Sequence, residues 1–325
     1  MMNLFSSRKC RQLISAVIIM LTLITMLAWY NNPMVHENVS SIEQNTDVNR
    51  PEYFAAHRAF IKRENTETSI YQYVEEQPAG KGSNIEEYQR LRSFLATQGT
   101  ICKKIQRIGG APDHRPYGPD GAWDVCFDVD VGLVPESCIV YSFGIGKDFS
   151  FDDGMAHHGC KVYSFDPTIG KQDYQHAQRV YFFNTGLADH DQEGNGKVAV
   201  DPPFSEWKTR TLASVIKDLN HSEIVIDIVK MDIESSEWSS LYQMLQDGTL
   251  YRKVRQLIVE FHFMSNEPSE LRRYYSIIQW LTRQGIKVSS LHQNVYCTQC
   301  LEMSFINTKL RQEYNSTLWG DVFAW

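Results

Sequence analysis

The stretch CIVYSFGIGKDFSFDDGMAHHGCKVYSFD, residues 138–166, decides the fold. Residues 138–143 form a short apolar run with the character of a buried strand, and a turn with Gly144 and Gly146 follows. Ser150 can cap a helix, Asp153 sits three residues on, and Gly159 can close it. A second apolar run, 161–165, ends on Asp166. Strand, glycine turn, helix, strand and acid make the βαβ plan that grips an adenosine-bearing ligand. The glycines let the backbone approach the ligand, and an acid about twenty residues on accepts hydrogen bonds from ribose hydroxyls. A glycine turn after a first strand also occurs in α/β proteins without such a ligand. The third glycine of the dinucleotide fingerprint is missing, which argues against a nicotinamide-linked oxidoreductase.

Downstream, the pattern repeats. A third strand at 180–183 leads to the turn Thr185 to Asp189. Thr211 caps a helix with Leu212, Val215, Ile216 and Leu219 on one face. A fourth strand, 224–231, ends on Asp232-Ile-Glu234. Glu237 then opens a helix carrying Trp238, Leu241, Tyr242 and Leu245 that closes near Gly248. A fifth strand, 256–261, ends in Glu260-Phe-His262. Pro268 starts a long helix that Gly285 ends. Two last strands, 286–291 and 301–306, are close enough to pair as an antiparallel hairpin. The expected fold is a mostly parallel α/β sheet of seven strands with one reversed. Ligands in such sheets bind beyond the carboxyl ends of the strands. Gly144, Gly146, Asp166, Asp189, Asp232, Glu234, Glu260 and His262 collect there.

Upstream, Asn84 and Glu87 have capping-box spacing, with Ile85, Tyr88, Leu91 and Leu95 on one helical face. Residues 102–137, rich in Gly, Pro and Asp, are expected to form a flap pinned by cysteines. Residues 31–83 are polar and end in a Pro- and Gly-containing segment, as a stem would. Residues 13–29 form an uncharged apolar run of about 17, near the lower limit for a membrane span. Arg8, Lys9 and Arg11 precede it, and no Lys or Arg follows until Arg50, so the bulk of the chain is expected in the lumen. The run is long for a cleaved signal peptide and lacks a good small-x-small site. The division is therefore a cytosolic tail and signal anchor at 1–30, a stem at 31–83 and one catalytic-type domain at 84–325. The expected location is the endoplasmic reticulum or Golgi, as a type II membrane protein.

The 325 residues carry a net charge of −7, which becomes −10 without the three cations ahead of the span. An acidic domain is a poor match for nucleic acid. Six cysteines lie beyond the span, and an even number in an oxidising compartment suggests disulfides. Cys102–Cys126 is the first choice, because both lie in a flap with little core of its own. Cys297-x-x-Cys300 fits a structural disulfide or plain thiols better than half a zinc site. Asn38, Asn220 and Asn315 head glycosylation sequons.

Four blocks carry a resemblance: YSFGI from Tyr141, GCKVYSFDP from Gly159, KMDIE from Lys230 with Glu237 after it, and Glu260-Phe-His262. Together they resemble the methyltransferase-like protein 24 family, related to FkbM-type enzymes that use S-adenosylmethionine, and the resemblance spans roughly residues 91–306. It implies a class I methyltransferase (Rossmann-like) fold with S-adenosylmethionine as cofactor. Gly144 and Gly146 would line the methionine part, Asp166 would bind ribose, Asp189 would lie near adenine, and Asp232 would sit by the transferable methyl. Class I enzymes often carry an acid on the first strand, where this chain has Tyr141-Ser-Phe143.

Methyl transfer to a poor nucleophile such as a hydroxyl needs a base, and Asp232 and His262 end neighbouring strands. The expected roles are His262 as base, with Asp232 orienting it or the acceptor. Asp232, Glu260 and His262 also have the chemistry to hold a divalent cation, but no spacing requires one, so no metal is expected. Compartment and anchor suggest a glycan hydroxyl as acceptor. Two alternatives stand beside this. Asp128-Val-Asp130 permits a lumenal glycosyltransferase, and Ser142 in place of an acid permits a non-catalytic module of the same fold.

Overall fold

The computed structural model describes residues 83–311 apart from 98, 111–119, 197, 266, 295 and 298. The expected anchor, most of the stem, and the sequons at Asn38 and Asn315 lie outside the described residues. Among the described residues no helix is long and apolar enough to cross a membrane.

Helix α1 (Asn84–Thr97) begins one residue earlier in its capping than expected. The Glu86 carboxylate accepts from the Ser83 N–H at 2.6 Å, and the Ser83 hydroxyl accepts from the Glu86 N–H at 3.3 Å, closing a capping box. Glu87 is thereby free to turn inward, where it is buried and accepts from Arg272 Nε at 2.9 Å. Leu91 and Leu95 are buried, but Ile85 is exposed. The flap is an antiparallel hairpin, β1 (Ile105–Gly109) and β2 (Ala122–Cys126), outside the main sheet. The Cys102–Cys126 disulfide ties its base, as expected. The Gln256 side chain donates to the Cys126 carbonyl and accepts from its N–H, which sews the hairpin onto the sheet.

The βα alternation then runs as the apolar spacing requires: β3 (Ile139–Phe143), α2 (Ser150–His157), β4 (Lys161–Phe165), β5 (Tyr174–Ala177), β6 (Val180–Phe183), β7 (Gly186–Leu187) and β8 (Thr209–Arg210). Helix α3 (Leu212–Asp218) follows, then β9 (Ile226–Met231), α4 (Glu237–Asp247), α5 (Thr249–Lys253), β10 (Val254–His262), α6 (Pro268–Arg283), β11 (Ile286–Gln293) and β12 (Cys300–Asn307). Thr211 caps α3 by accepting from Ser214 N, as expected. Ser150 does not cap α2. Asp148 accepts the Ser150 N–H, and the Ser150 hydroxyl instead accepts from Gly110 N at 2.8 Å, tying the helix to the flap.

The main sheet has the order β11-β12-β10-β9-β3-β4-β6-β5. Strand β12 is antiparallel to β10, as the terminal hairpin requires. An eighth strand, β5, pairs antiparallel with β6 at the edge, so the sheet has eight strands and not seven. Its sequence, YQHA, is half exposed and offers no apolar run to betray it. From β3 the chain winds outward through β4 and β6, then returns to β9 and β10 on the other side. The reversal at β3 is the switch point where such sheets open a crevice. Phe143 pairs with both Phe165 and Met231, so the three central strands end level and present their following turns side by side. Buried Trp123, Phe151, Met155, Val162 and Ile228 pack beneath them.

Candidate active site

A cavity of about 570 Å³ opens over the carboxyl ends of β4, β3, β9 and β10, within the usual range for small-molecule sites. Gly144, Gly146, Asp166, Asp232 and His262 all line it. The turn after β3 is held from both sides. Gly144 has φ +70°, and the Lys230 ammonium donates to its carbonyl at 2.9 Å. Gly146, at φ +54°, has open space where a Cβ would stand, and its N–H donates to Asp166 Oδ2 at 2.8 Å. The other Asp166 oxygen accepts from the Thr168 N–H and hydroxyl at 2.7 and 2.6 Å. Asp166 is thus a buried, fully oriented carboxylate on the cavity wall. Its remaining lone pairs suit ribose hydroxyls.

At the other end, four carboxylates surround one imidazole. His262, on the last residue of β10, is 5% exposed at its side chain. Its Nδ1 meets Glu237 Oε1 at 3.1 Å, and its backbone carbonyl accepts from Trp238 Nε1 at 2.9 Å. Its Nε2 lies 3.9 Å from Asp232 Oδ1 and 3.6 Å from Glu234 Oε2. Burial alone would lower the imidazole pKa. The hydrogen bond to Glu237 and the charges of Glu237, Asp232 and Glu260 outweigh that and hold it up at about 9. The same carboxylates that raise the ring also face its Nε2, so His262 and Asp232 act on the cavity together. Burial raises the Asp232 carboxyl, with Lys230 and His262 pulling it back in part. Glu260 is pushed up to about 7 by burial and by Asp232, and accepts from Asn294 Nδ2 at 2.7 Å.

Asp189 does not reach the cavity. Its exposed side chain pairs with His190 Nδ1 at 2.6 Å, and Gly186 and Leu187 of the same turn line the wall instead. Residues 186–188 are buried, while Asp189, the next residue, opens to solvent. Where β3 carries no acid, one from α2 packs against it. Asp152 of α2 is buried against the cavity and accepts from the Ser142 and Ser164 hydroxyls. Sequence reading missed it because its partners lie ten and twelve residues away on two strands. Trp123, brought by the flap, lies under the Lys230 ammonium at 4.8 Å and also lines the cavity. Asp128 and Asp130 are outside it. Asp128 accepts from the Lys103 and Lys104 N–H groups, and Asp130 pairs with Arg311.

The reversal at β3, the glycine turn, and the oriented acid after β4 define a class I methyltransferase fold, whose cofactor is S-adenosylmethionine. The residues fit that cofactor, with a Cβ-free wall at Gly146, a ribose-type acid at Asp166 and a buried carboxylate, Asp152, on the glycine-turn side. The chain belongs to the family described as "Methyltransferase domain", which matches residues 59–307 and so begins inside the expected stem. It is similar to the probable methyltransferase-like protein 24 of Rattus norvegicus, 28% identical over 265 residues, covering 74% of this chain and 70% of the relative. The Homo sapiens protein of the same description is 26% identical over 267 residues, covering 73% and 69%. Among solved structures, a fibrillarin pre-rRNA processing protein of Methanococcus jannaschii overlaps 62% of this chain and 89% of its own, with 9% identity and a TM-score of 0.31. Aeropyrum pernix fibrillarin with natively bound S-adenosyl-L-methionine overlaps 54% and 68%, with 12% identity and a TM-score of 0.27. These overlaps are loose, and the class rests on strand order, site and family.

Proposed function

We propose that this chain methylates a hydroxyl of a glycan or another secretory-pathway acceptor, using S-adenosylmethionine, from an anchored position in the lumen of the endoplasmic reticulum or Golgi. One observation carries the enzymatic part: a single cavity joins the Gly146–Asp166 wall to the Asp232–His262 cluster. The bound cofactor supplies a sulfonium methyl that a nucleophile can displace. The glycine turn and Asp166 would hold the nucleoside side, and Asp152 would face the amino group. Asp232 and His262 would stand beside the acceptor hydroxyl and take its proton.

The compartment reading has separate support. Cys102–Cys126, Cys138–Cys160 and Cys297–Cys300 pair all six cysteines beyond the apolar run, as an oxidising lumen allows. The Asn220 sequon sits in an exposed turn. The glycosyltransferase alternative is weaker, because Asp128 and Asp130 are committed to structural contacts away from the cavity. The test is incubation of the purified full-length chain with methyl-labelled S-adenosylmethionine and a glycan panel. Label in an ether methyl on a glycan is the expected result. Binding of the cofactor without transfer to any acceptor would favour the non-catalytic module, and absence of cofactor binding would overturn the reading.

A further inference from the structure

Three ligand-type atoms converge at the acid-rich end of the cavity. Asp232 follows β9, Glu234 stands in the turn after it, and His262 ends β10, with one ligand atom from each lying within 4.8 Å of the others. The histidine geometry separates this cluster from an ordinary acidic patch. Its Nδ1 is fixed by Glu237, while Nε2 faces the two carboxylates at 3.6 and 3.9 Å, too far for hydrogen bonds. A side chain buried to this degree, with Nδ1 held by one carboxylate and Nε2 facing two others beyond hydrogen-bond range, is how proteins prepare a metal-binding histidine. Two metal–ligand bonds of about 2.1 Å bridge gaps of this size.

Charge points the same way. Asp232, Glu234, Glu237 and Glu260 surround the spot, and Glu237 is fully buried with Oε2 lacking any partner. Lys230 is the nearby fixed cation, but its ammonium is spent on the Gly144 carbonyl and the Trp123 ring. Four carboxyl groups thus share one imidazole at this end of the cavity. Two carboxylates and an imidazole suit a hard or borderline divalent ion of the Mn²⁺ or Mg²⁺ kind and leave coordination positions open toward the cavity.

We propose that Asp232, Glu234 and His262 bind a divalent cation, with Glu237 as the residue that positions the histidine. This departs from the expectation drawn from spacing alone, which required no metal. Resting on the methyltransferase reading, the site's further role is to receive an acceptor oxygen and orient it within the cavity.

The test titrates Mn²⁺ into chelator-stripped, full-length chain without cofactor, read by the loss of the free-ion paramagnetic signal. One ion per chain is expected. Glu234→Ala, at an exposed position that folding tolerates, should weaken binding about tenfold or more, as should His262→Ala. Glu237→Gln should cost about 10–100-fold by freeing the ring. Absence of binding by the unaltered chain, or binding that survives both Glu234→Ala and His262→Ala unchanged, would overturn the site. Cofactor affinity measured on the same samples separates the two ideas. A chain that binds Mn²⁺ but not S-adenosylmethionine keeps the cation site and loses the methyltransferase reading, and the opposite pattern does the reverse.

Discussion

Gly144 and Asp232 touch through their backbones: a Cβ on Gly144 would fall 1.6 Å from the Asp232 carbonyl oxygen. The cofactor turn after β3 and the acidic turn after β9 are therefore packed as one unit, with the Asp232 N–H donating to the Phe143 carbonyl at 3.1 Å. Gly144→Ala should separate them, because both the contact and φ +70° forbid a side chain. A clear fall in melting temperature is expected. Gly146→Ala meets open space and should cost only about 1–2 kcal/mol of left-handed strain. Equal melting temperatures for the two variants would contradict this packing.

Asp166→Ala should reduce affinity for S-adenosylmethionine by about one to two orders of magnitude, the scale of a hydrogen bond to a charged group. Because Asp166 also accepts from Gly146 and Thr168, part of the loss would come from a loosened turn. Asp166→Asn, which keeps one acceptor oxygen, should lose less. Calorimetry that finds both variants unimpaired would move the ribose elsewhere.

Burial pushes the Asp152 carboxyl up to about 7, with Ser164, Lys230 and Ser142 opposing it. A raised folded-state value means the unfolded chain releases this proton first as pH increases. Its contribution to stability is full below the ordinary carboxylate range and disappears as pH rises through about 7. Asp227, raised to about 6, and Glu260 add slopes of the same sign, so the comparison must be with Asp152→Asn. That variant should lose less stability than the unaltered chain between pH 5 and about 8. Parallel melting curves across this window would rule out a buried, titrating Asp152.

The Cys102–Cys126 bridge closes a loop of 24 residues around the flap that delivers Trp123. Replacing both cysteines by alanine should cost about 3 kcal/mol in the chain-entropy account. Guanidinium unfolding is the measurement. Cofactor affinity should fall as well, since Trp123 lines the cavity. An unchanged midpoint would show that Gln256 alone holds the hairpin.

Asp232→Asn and His262→Ala should each slow methyl transfer by about 10²-fold or more, and the double variant should be little worse than either. Independent, multiplying losses would mean that the two side chains do not act as a unit. Full activity in both single variants would place the chemistry elsewhere.

The sequence by itself determined the alternation of strands and helices, the glycine turn, and which strands end in acids. Those features are local: apolar runs such as Ile139–Phe143, a glycine where φ must be positive, and caps such as Thr211 act within a few residues. The Cys102–Cys126 pairing was also legible, because the flap lacks a core to hold it otherwise. Only the tertiary structure decided the rest. It turned Asp189 outward, packed Asp152 of α2 against β3, and set buried Glu237 behind His262. It also added β5, whose polar sequence becomes a strand by pairing with β6. Each of these depends on which side of a turn or helix faces the switch point at β3. That direction is fixed by packing between elements distant in the chain, and no periodicity within one element encodes it.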